Sequence, residues 1–299
     1  MLTCCTKNAV PQCGEAKRSR VVKRTGQGEA GAALWAIDAI NWHGEGNGIR
    51  AAENVAGIIL QTRPYGENHR TVVVLTERRG AVRAIAYGAQ KTQNPLHAIV
   101  QALVRGLFLL RRNDGAPGTI LQGVAVDMYD GLRSDLLKAA YAQAVLELAL
   151  VACRDDAGQG DGLLYQATQA ALEQLKRGSP GRLVMAGMGI AVASELGIAL
   201  ECGQCAECGT RLLRPGRWYS MSAGGLLCAR CADASRPTAL LHMDGDAAAL
   251  LASLSEKRKL PPGGGEELST HQVLQVVLAH LAEFGGVVVK SLRVLGAME

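Results

Sequence analysis

The chain has 299 residues, 48% of them hydrophobic and 4% aromatic, with a net charge of only +5. That length allows two or three modest domains, with cores built from Leu, Val, Ile and Ala rather than from rings. A membrane span is excluded by the most apolar run, "RLVMAGMGIAVASELGIAL" from Arg182, because Ser194 and Glu195 interrupt it and a charge near a bilayer centre is costly. The run reads as a buried helix. The start "MLTCCTKNAV" lacks the basic flank and apolar core of a signal peptide, so a bacterial-type cytoplasmic setting is the expectation. In that setting clustered cysteines read as metal ligands before disulfides.

Charge is unevenly spread. Residues 1–112 carry 16 Lys/Arg against 7 Asp/Glu, a net of +9, while residues 113–200 net −4, residues 201–231 net +2 and residues 232–299 net −2. A basic front and a smaller basic share around the cysteines point to a polyanion partner.

In chain order, residues 1–52 form a basic, Gly-containing extension expected to be disordered, with one helix around Ala32–Trp42. Cys4, Cys5 and Cys13 within it have no partner pattern and read as free thiols. From Val55 the texture turns to β. The runs Val55–Thr62, Arg70–Thr76, Ala81–Gly88, Leu107–Arg112 and Thr119–Val126 are short and β-rich, with breaks at "RPYGEN", "ERRG" and "NDGAPG". Five such strands predict a small closed sheet of the OB type over 53–127. From 128 to 299 the chain is expected to be a helical domain with a cysteine module inserted at 202–232. The run "SDLLKAAYAQAVLELALVAC" takes Ser134 as its N-cap. "GLLYQATQAALEQLKRG" repeats the helical period and stops at Gly178, and the apolar helix from Leu183 follows. "LPPGGGEE" (Leu260–Glu267) reads as a linker into a last helix, with Ser269 and Gln272 at capping-box spacing.

Cys205-Ala-Glu-Cys208 and Cys228-Ala-Arg-Cys231 are two C-x2-C pairs with 19 residues between them. That spacing matches a tetrahedral four-thiolate Zn2+ site, because two-residue spacing lets both thiolates of a hairpin reach one cation. Gly209, directly after Cys208, permits a tight knuckle with backbone N–H groups aimed at sulfur. Cys202 competes for the first place, but it would make Cys205 the second ligand with Ala206 behind it, a poorer knuckle. It is left as a spare. Four thiolates close the shell, whereas a hydrolytic zinc keeps an open position, so the expected role is structural.

Catalytic patterns are thin. His43-Gly44-Glu45 supplies an H-x-E, but neither cysteine pair is preceded by the Pro of a deaminase signature. The triple glycine at Gly263–Gly265 is followed by acids, without the Lys-Ser/Thr that lets a P-loop hold phosphate. His69, His97, His242, His271 and His280 are dispersed. The residues alone therefore read as a zinc-stabilised, non-catalytic, polyanion-binding protein. A zinc-ribbon transcription or translation factor is the rival reading, distinguished by sequence-selective binding. A zinc-dependent nucleic-acid-modifying enzyme is the other, distinguished by turnover at an open metal position.

The order of parts resembles the RecO family of bacterial DNA repair and recombination mediators. "GIILQTRPYGENHRTVVVLTERRGAVRAIAYGAQK" is similar to the opening strands of that family, and "CAECG…SMSAGGLLCARC" to its zinc module, including the Gly-Gly before the third ligand. "AAY" at Ala139–Tyr141 and "VVVKSLRVLG" near the end match further family stretches. The chain departs from the family in residues 1–50, in Cys202, and in Gly187 and Gly189, where bulky residues are usual. The resemblance implies binding of single- and double-stranded DNA, strand annealing, and RecA loading with RecR on DNA coated by single-strand binding protein, whose C-terminal tail would dock on the helical domain. Within the barrel, Arg63, Arg70, Arg78, Arg79, Arg83 and Lys91 are the candidate phosphate contacts. Tyr65, Tyr87 and Phe108 are the available rings, so binding is expected to lean on phosphate rather than on stacking.

Overall fold

The structure, a computed structural model, describes residues 52–113, 116–153, 162–212, 214–234, 240–257 and 267–292. The N-terminal extension with its expected helix, its three cysteines and His43 lies outside the described residues, as does the expected linker up to residue 266.

Five strands come first: β1 (Glu53–Tyr65), β2 (His69–Thr76), β3 (Gly80–Ala86), β4 (Arg105–Asn113) and β5 (Ala116–Asp127). They close a barrel in the order β1-β2-β3-β5-β4, with β3 and β5 pairing in parallel and the other neighbours antiparallel. This is the OB-like barrel expected from the sequence. β1 is longer than its apolar run because the hairpin register continues through Pro64↔Arg70 to Tyr65↔His69.

The run "IIL" in β1 is apolar on consecutive positions because both faces of the strand are covered. Ile59, Val72 and Val74 point into the barrel, while Ile58, Leu60 and Leu75 join the core of the helical region. Alternation along a strand sends neighbouring residues to opposite faces, and a bulge between Ile59 and Gln61 adjusts the register there. Phe108 is the ring that fills the barrel, 1% exposed. Gly57, Gly106 and Gly123 surround it, and a Cβ at Gly123 would lie 3.0 Å from its ring. Between β3 and β4, the short helix α1 (Leu96–Ile99) and the segment after it plug one end with Leu96, Val100 and Val104.

After the barrel come α2 (Asp130–Arg133), α3 (Leu136–Ala152), α4 (Leu163–Lys176) and α5 (Gly181–Glu195). α5 is the apolar run of the sequence, and it is buried on nearly every side. It packs against α3, α4 and α8 (Glu267–Gly285). No helix among the described residues is long and apolar enough to cross a membrane. Gly189 permits close approach of α5 and α8, since a Cβ there would fall 2.5 Å from Val277.

Two caps differ from expectation. α3 is capped by Asp135, whose carboxylate accepts from the Lys138 N–H at 3.0 Å, and Ser134 instead ends α2. Asp135 has the extended backbone a cap requires, whereas Ser134 is already helical. Ser269 does not cap α8 either. The helix starts at Glu267, so Ser269 lies inside it and is buried. Gln272 exchanges two hydrogen bonds with Asp244, at 2.9 Å to the backbone N–H and 2.8 Å to the carboxylate. Gly178 does stop α4, with φ of +86°.

The remaining elements carry the cysteines. A small sheet in the order β7-β6-β8 is made of β6 (Trp218–Ser220), β7 (Gly225–Leu227) and β8 (Leu240–His242). α6 (Ala229–Ala234) follows β7, and α7 (Gly245–Lys257) follows β8.

Candidate functional site

Cys205 and Cys208 sit on a tight turn. The turn is closed by Gly209 N–H to Cys205 C=O and by Cys205 N–H to Thr210 C=O, each 2.8 Å. Gly209 has φ of +69°, a conformation an L side chain resists, which is why the knuckle ends in glycine. Cys228 stands at the end of β7 and Cys231 in the first turn of α6. Two backbone contacts bring the halves together. Glu201 accepts from Leu226 N–H at 2.8 Å, and Ala206 N–H donates to Leu226 C=O at 2.9 Å. Gly225 allows this, because a Cβ there would lie 2.3 Å from the Glu201 carbonyl oxygen.

The four sulfurs all lie within 4.8 Å of one another. Cys208 and Cys228 Sγ are 3.8 Å apart. Metal–sulfur bonds of about 2.3 Å in a tetrahedron require sulfur–sulfur edges of about 3.8 Å, so the donor set fits a four-coordinate cation. The thiols are already polarised. Burial pushes Cys205 up, yet the N–H groups of Cys228, Cys208 and Glu207 outweigh it and hold the thiol below its usual range. The Thr210 side chain and N–H draw Cys208 down to about 6. Hydrogen bonds to the Cys208 and Cys228 sulfurs push Cys231 up to about 12. Sulfurs this close share protons that a cation would displace. Cys202 is not among them. It is 4% exposed, packed in the helical core, and burial pushes its thiol up to about 11.

The module is fastened to the helices by a buried relay. Tyr219 of β6 and His280 of α8 are 0% and 2% exposed. The Tyr219 hydroxyl lies 2.7 Å from His280 Nδ1, and His280 Nε2 lies 2.6 Å from the Ile198 carbonyl oxygen. A carbonyl only accepts, so Nε2 carries the proton and Nδ1 takes the tyrosine's. Nothing in the sequence marked this histidine out from its dispersed siblings, because its partners are 61 and 82 positions away.

The candidate basic residues separate into distinct settings. Arg63 on β1 and Arg83 on β3 are exposed, and their registers, Arg63↔Thr71 and Val73↔Arg83, place them on the outward face of the β1–β2–β3 sheet. Arg78 is exposed in the β2–β3 turn and Lys91 in the turn after β3. Arg79 is engaged by Glu53 at 2.7 Å. Arg70 on β2 is half-buried and donates to Gln101 Oε1 at 3.2 Å. A groove of about 560 Å³ beside α1 and β5 is lined by Leu96, Ile99, Ile120 and Leu121 with the carboxamides of Asn94 and Gln122, and neither Lys nor Arg lines it. Phosphate has no cation there.

A closed OB-like barrel, followed by helices that carry a four-thiol cluster, defines a class of small multidomain protein with a candidate metal site. Residues 52–129 match the family model for the N-terminal part of recombination protein O, and residues 133–283 match the model for its C-terminal part. The chain belongs to the recombination protein O family. Among curated proteins it is similar to DNA repair protein RecO of Bacillus pumilus, 27% identical over 246 residues, covering 81% of this chain and 93% of the relative. It is likewise similar to that of Bacillus subtilis, 27% identical over 244 residues with 81% and 93% covered, and to that of an Exiguobacterium species, 27% over 252 residues with 82% and 96% covered. Family membership supports a function in DNA repair and recombination.

Proposed function

We propose that this protein is a non-catalytic recombination mediator of the bacterial cytoplasm. In this reading it binds single- and double-stranded DNA, anneals complementary strands and, with RecR, loads RecA onto DNA coated by single-strand binding protein. The observation that carries the reading is the succession of both family halves along one chain, the first on the barrel and the second on the helices holding the four thiols. The division of labour follows charge. The barrel at 53–127 holds the exposed cations Arg63, Arg78, Arg83 and Lys91 and would take DNA phosphates and RecR, and the helical part at 128–299 would receive the tail of single-strand binding protein.

One Zn2+ held by Cys205, Cys208, Cys228 and Cys231 fits the soft, closed donor set. It would brace the module without an open position for chemistry. The test is metal analysis of the purified protein together with a strand-annealing assay. One zinc per chain and accelerated annealing are expected. Turnover of a nucleic-acid substrate, or binding confined to one base sequence, would overturn the reading.

A further inference from the structure

Rings are scarce in this chain, yet two exposed ones stand at one place. Tyr65, at the end of β1, and Tyr87, just after β3, are 50% and 51% exposed. His69, the first residue of β2, lies between them, its ring centroid 5.1 Å from that of Tyr87 and 6.4 Å from that of Tyr65. None of the three joins either hydrophobic core. The backbone under them is nevertheless tied down. Gly88 N–H donates to His69 Nδ1 at 3.0 Å, which fixes that ring and leaves its proton on Nε2. The Gln90 side-chain amide donates to the carbonyls of Gly66 and His69 at 3.0 and 2.9 Å, linking the β1–β2 turn to the turn after β3. Half-exposed rings on a braced backbone offer a ready apolar face that a flat partner can cover by stacking.

The charge beside the rim suits one such partner. Arg63 precedes Tyr65 by two residues, so both project from the same face of β1, and Lys91 is exposed in the turn after Tyr87. Glu67 is an exposed acid in the β1–β2 turn. We propose that Tyr65, His69 and Tyr87 form a stacking rim for the unpaired bases of single-stranded DNA, with the phosphates turned toward Arg63 and Lys91. The proposal rests on the DNA-binding reading above and adds a preference to it. Duplex bases are stacked on one another and offer these rings no free face, whereas every unpaired base has one. Phosphate contacts alone would hold both forms. Scarcity of rings along the chain is therefore not scarcity at the site.

The test uses the full chain and fluorescence anisotropy with three probes: oligo-dT, a fully abasic strand of the same length, and a blunt duplex. Tyr65→Ala/Tyr87→Ala should bind oligo-dT more weakly by about 5-fold or more for each ring removed. Its affinity for duplex and abasic strand should match wild type, and Tyr65→Phe/Tyr87→Phe should bind oligo-dT as wild type does. Wild-type protein that binds the abasic strand as tightly as oligo-dT would overturn the rim, as would an alanine variant weakened equally on all three probes. In those cases DNA binding itself stands, but not through bases stacked on these rings. Wild-type protein that binds none of the probes would instead remove the DNA-binding reading beneath the proposal.

Discussion

Cys202 and Cys205 are three positions apart and chemically the same, and their surroundings assign them opposite roles. Cys205 sits among N–H donors and three other sulfurs, while Cys202 is enclosed by the helical core. A thiolate is stabilised by the first setting and penalised by the second. Cys228→Ser should therefore lose the metal and loosen the module, since binding at a structural site is coupled to folding. Cys202→Ala should keep the metal and cost only packing. Metal content and thermal unfolding of both variants check this, and retained metal in Cys228→Ser with loss in Cys202→Ala would reverse the ligand assignment. The same kind of difference separates two adjacent arginines. Arg79 is already paired with Glu53, while Arg78 is exposed in the turn. A phosphate must displace a carboxylate from the first, so Arg78 is the better contact of the two.

Among the elements, α8 and β6 are joined through His280, and that joint is sensitive to pH. Burial lowers the affinity of His280 for a second proton below its ordinary value of 6.5. The unfolded chain then binds more protons than the folded one below about pH 6.5, and stability falls as pH drops through that window, by at most about 1.4 kcal/mol per pH unit. His280→Gln lacks this titration. It should be less stable than wild type at pH 8 by about 1–3 kcal/mol, the cost of disturbing buried hydrogen bonds. The gap should narrow as pH falls below 6.5, measured by denaturant unfolding. A gap that stays constant with pH would show that the ring does not titrate on unfolding. Elements of this molecule were legible wherever local signals decided them. The five strands followed from short apolar runs and turn residues, and the four-thiol cluster from two C-x2-C pairs. The caps of α3 and α8 were misplaced because Ser134 and Asp135 carry the same signal and only backbone conformation separates them. Gln272 looked like half of a capping box, but its partner is Asp244, 28 positions away. The relay at His280 was hidden for the same reason, since spatial neighbours far apart in sequence leave no spacing to read.

At the scale of the whole molecule, the barrel is not independent of the helices. Ile58, Leu60 and Leu75 on its outer wall belong to the helical core, and polar contacts reinforce the seam. Lys176 of α4 pairs with Asp127 at the end of β5 at 2.6 Å, and the Tyr129 hydroxyl donates to Glu173 at 3.2 Å. At the far end, the Glu147 carboxylate accepts from the Lys290 N–H at 2.8 Å and from the Ser291 N–H and hydroxyl at 2.9 and 2.7 Å, tying the last described residues back to α3. A barrel so braced presents Arg63, Arg78, Arg83 and Lys91 on its exposed surface, where the proposed function would have them hold DNA by its phosphates. Salt dependence reads such phosphate contacts. Each phosphate contact contributes a slope of about 0.9 for duplex and about 0.7 for single strands in log K against log salt. Charge-neutralising Arg63, Arg78, Arg83 and Lys91 together should flatten the duplex slope by about 3 to 4 units, weaken binding equally across base sequences, and slow annealing. A variant that keeps the wild-type slope and annealing rate would show that these cations do not hold phosphate and would move the DNA site elsewhere, first to the exposed Arg211, Arg214 and Arg217 beside the thiols.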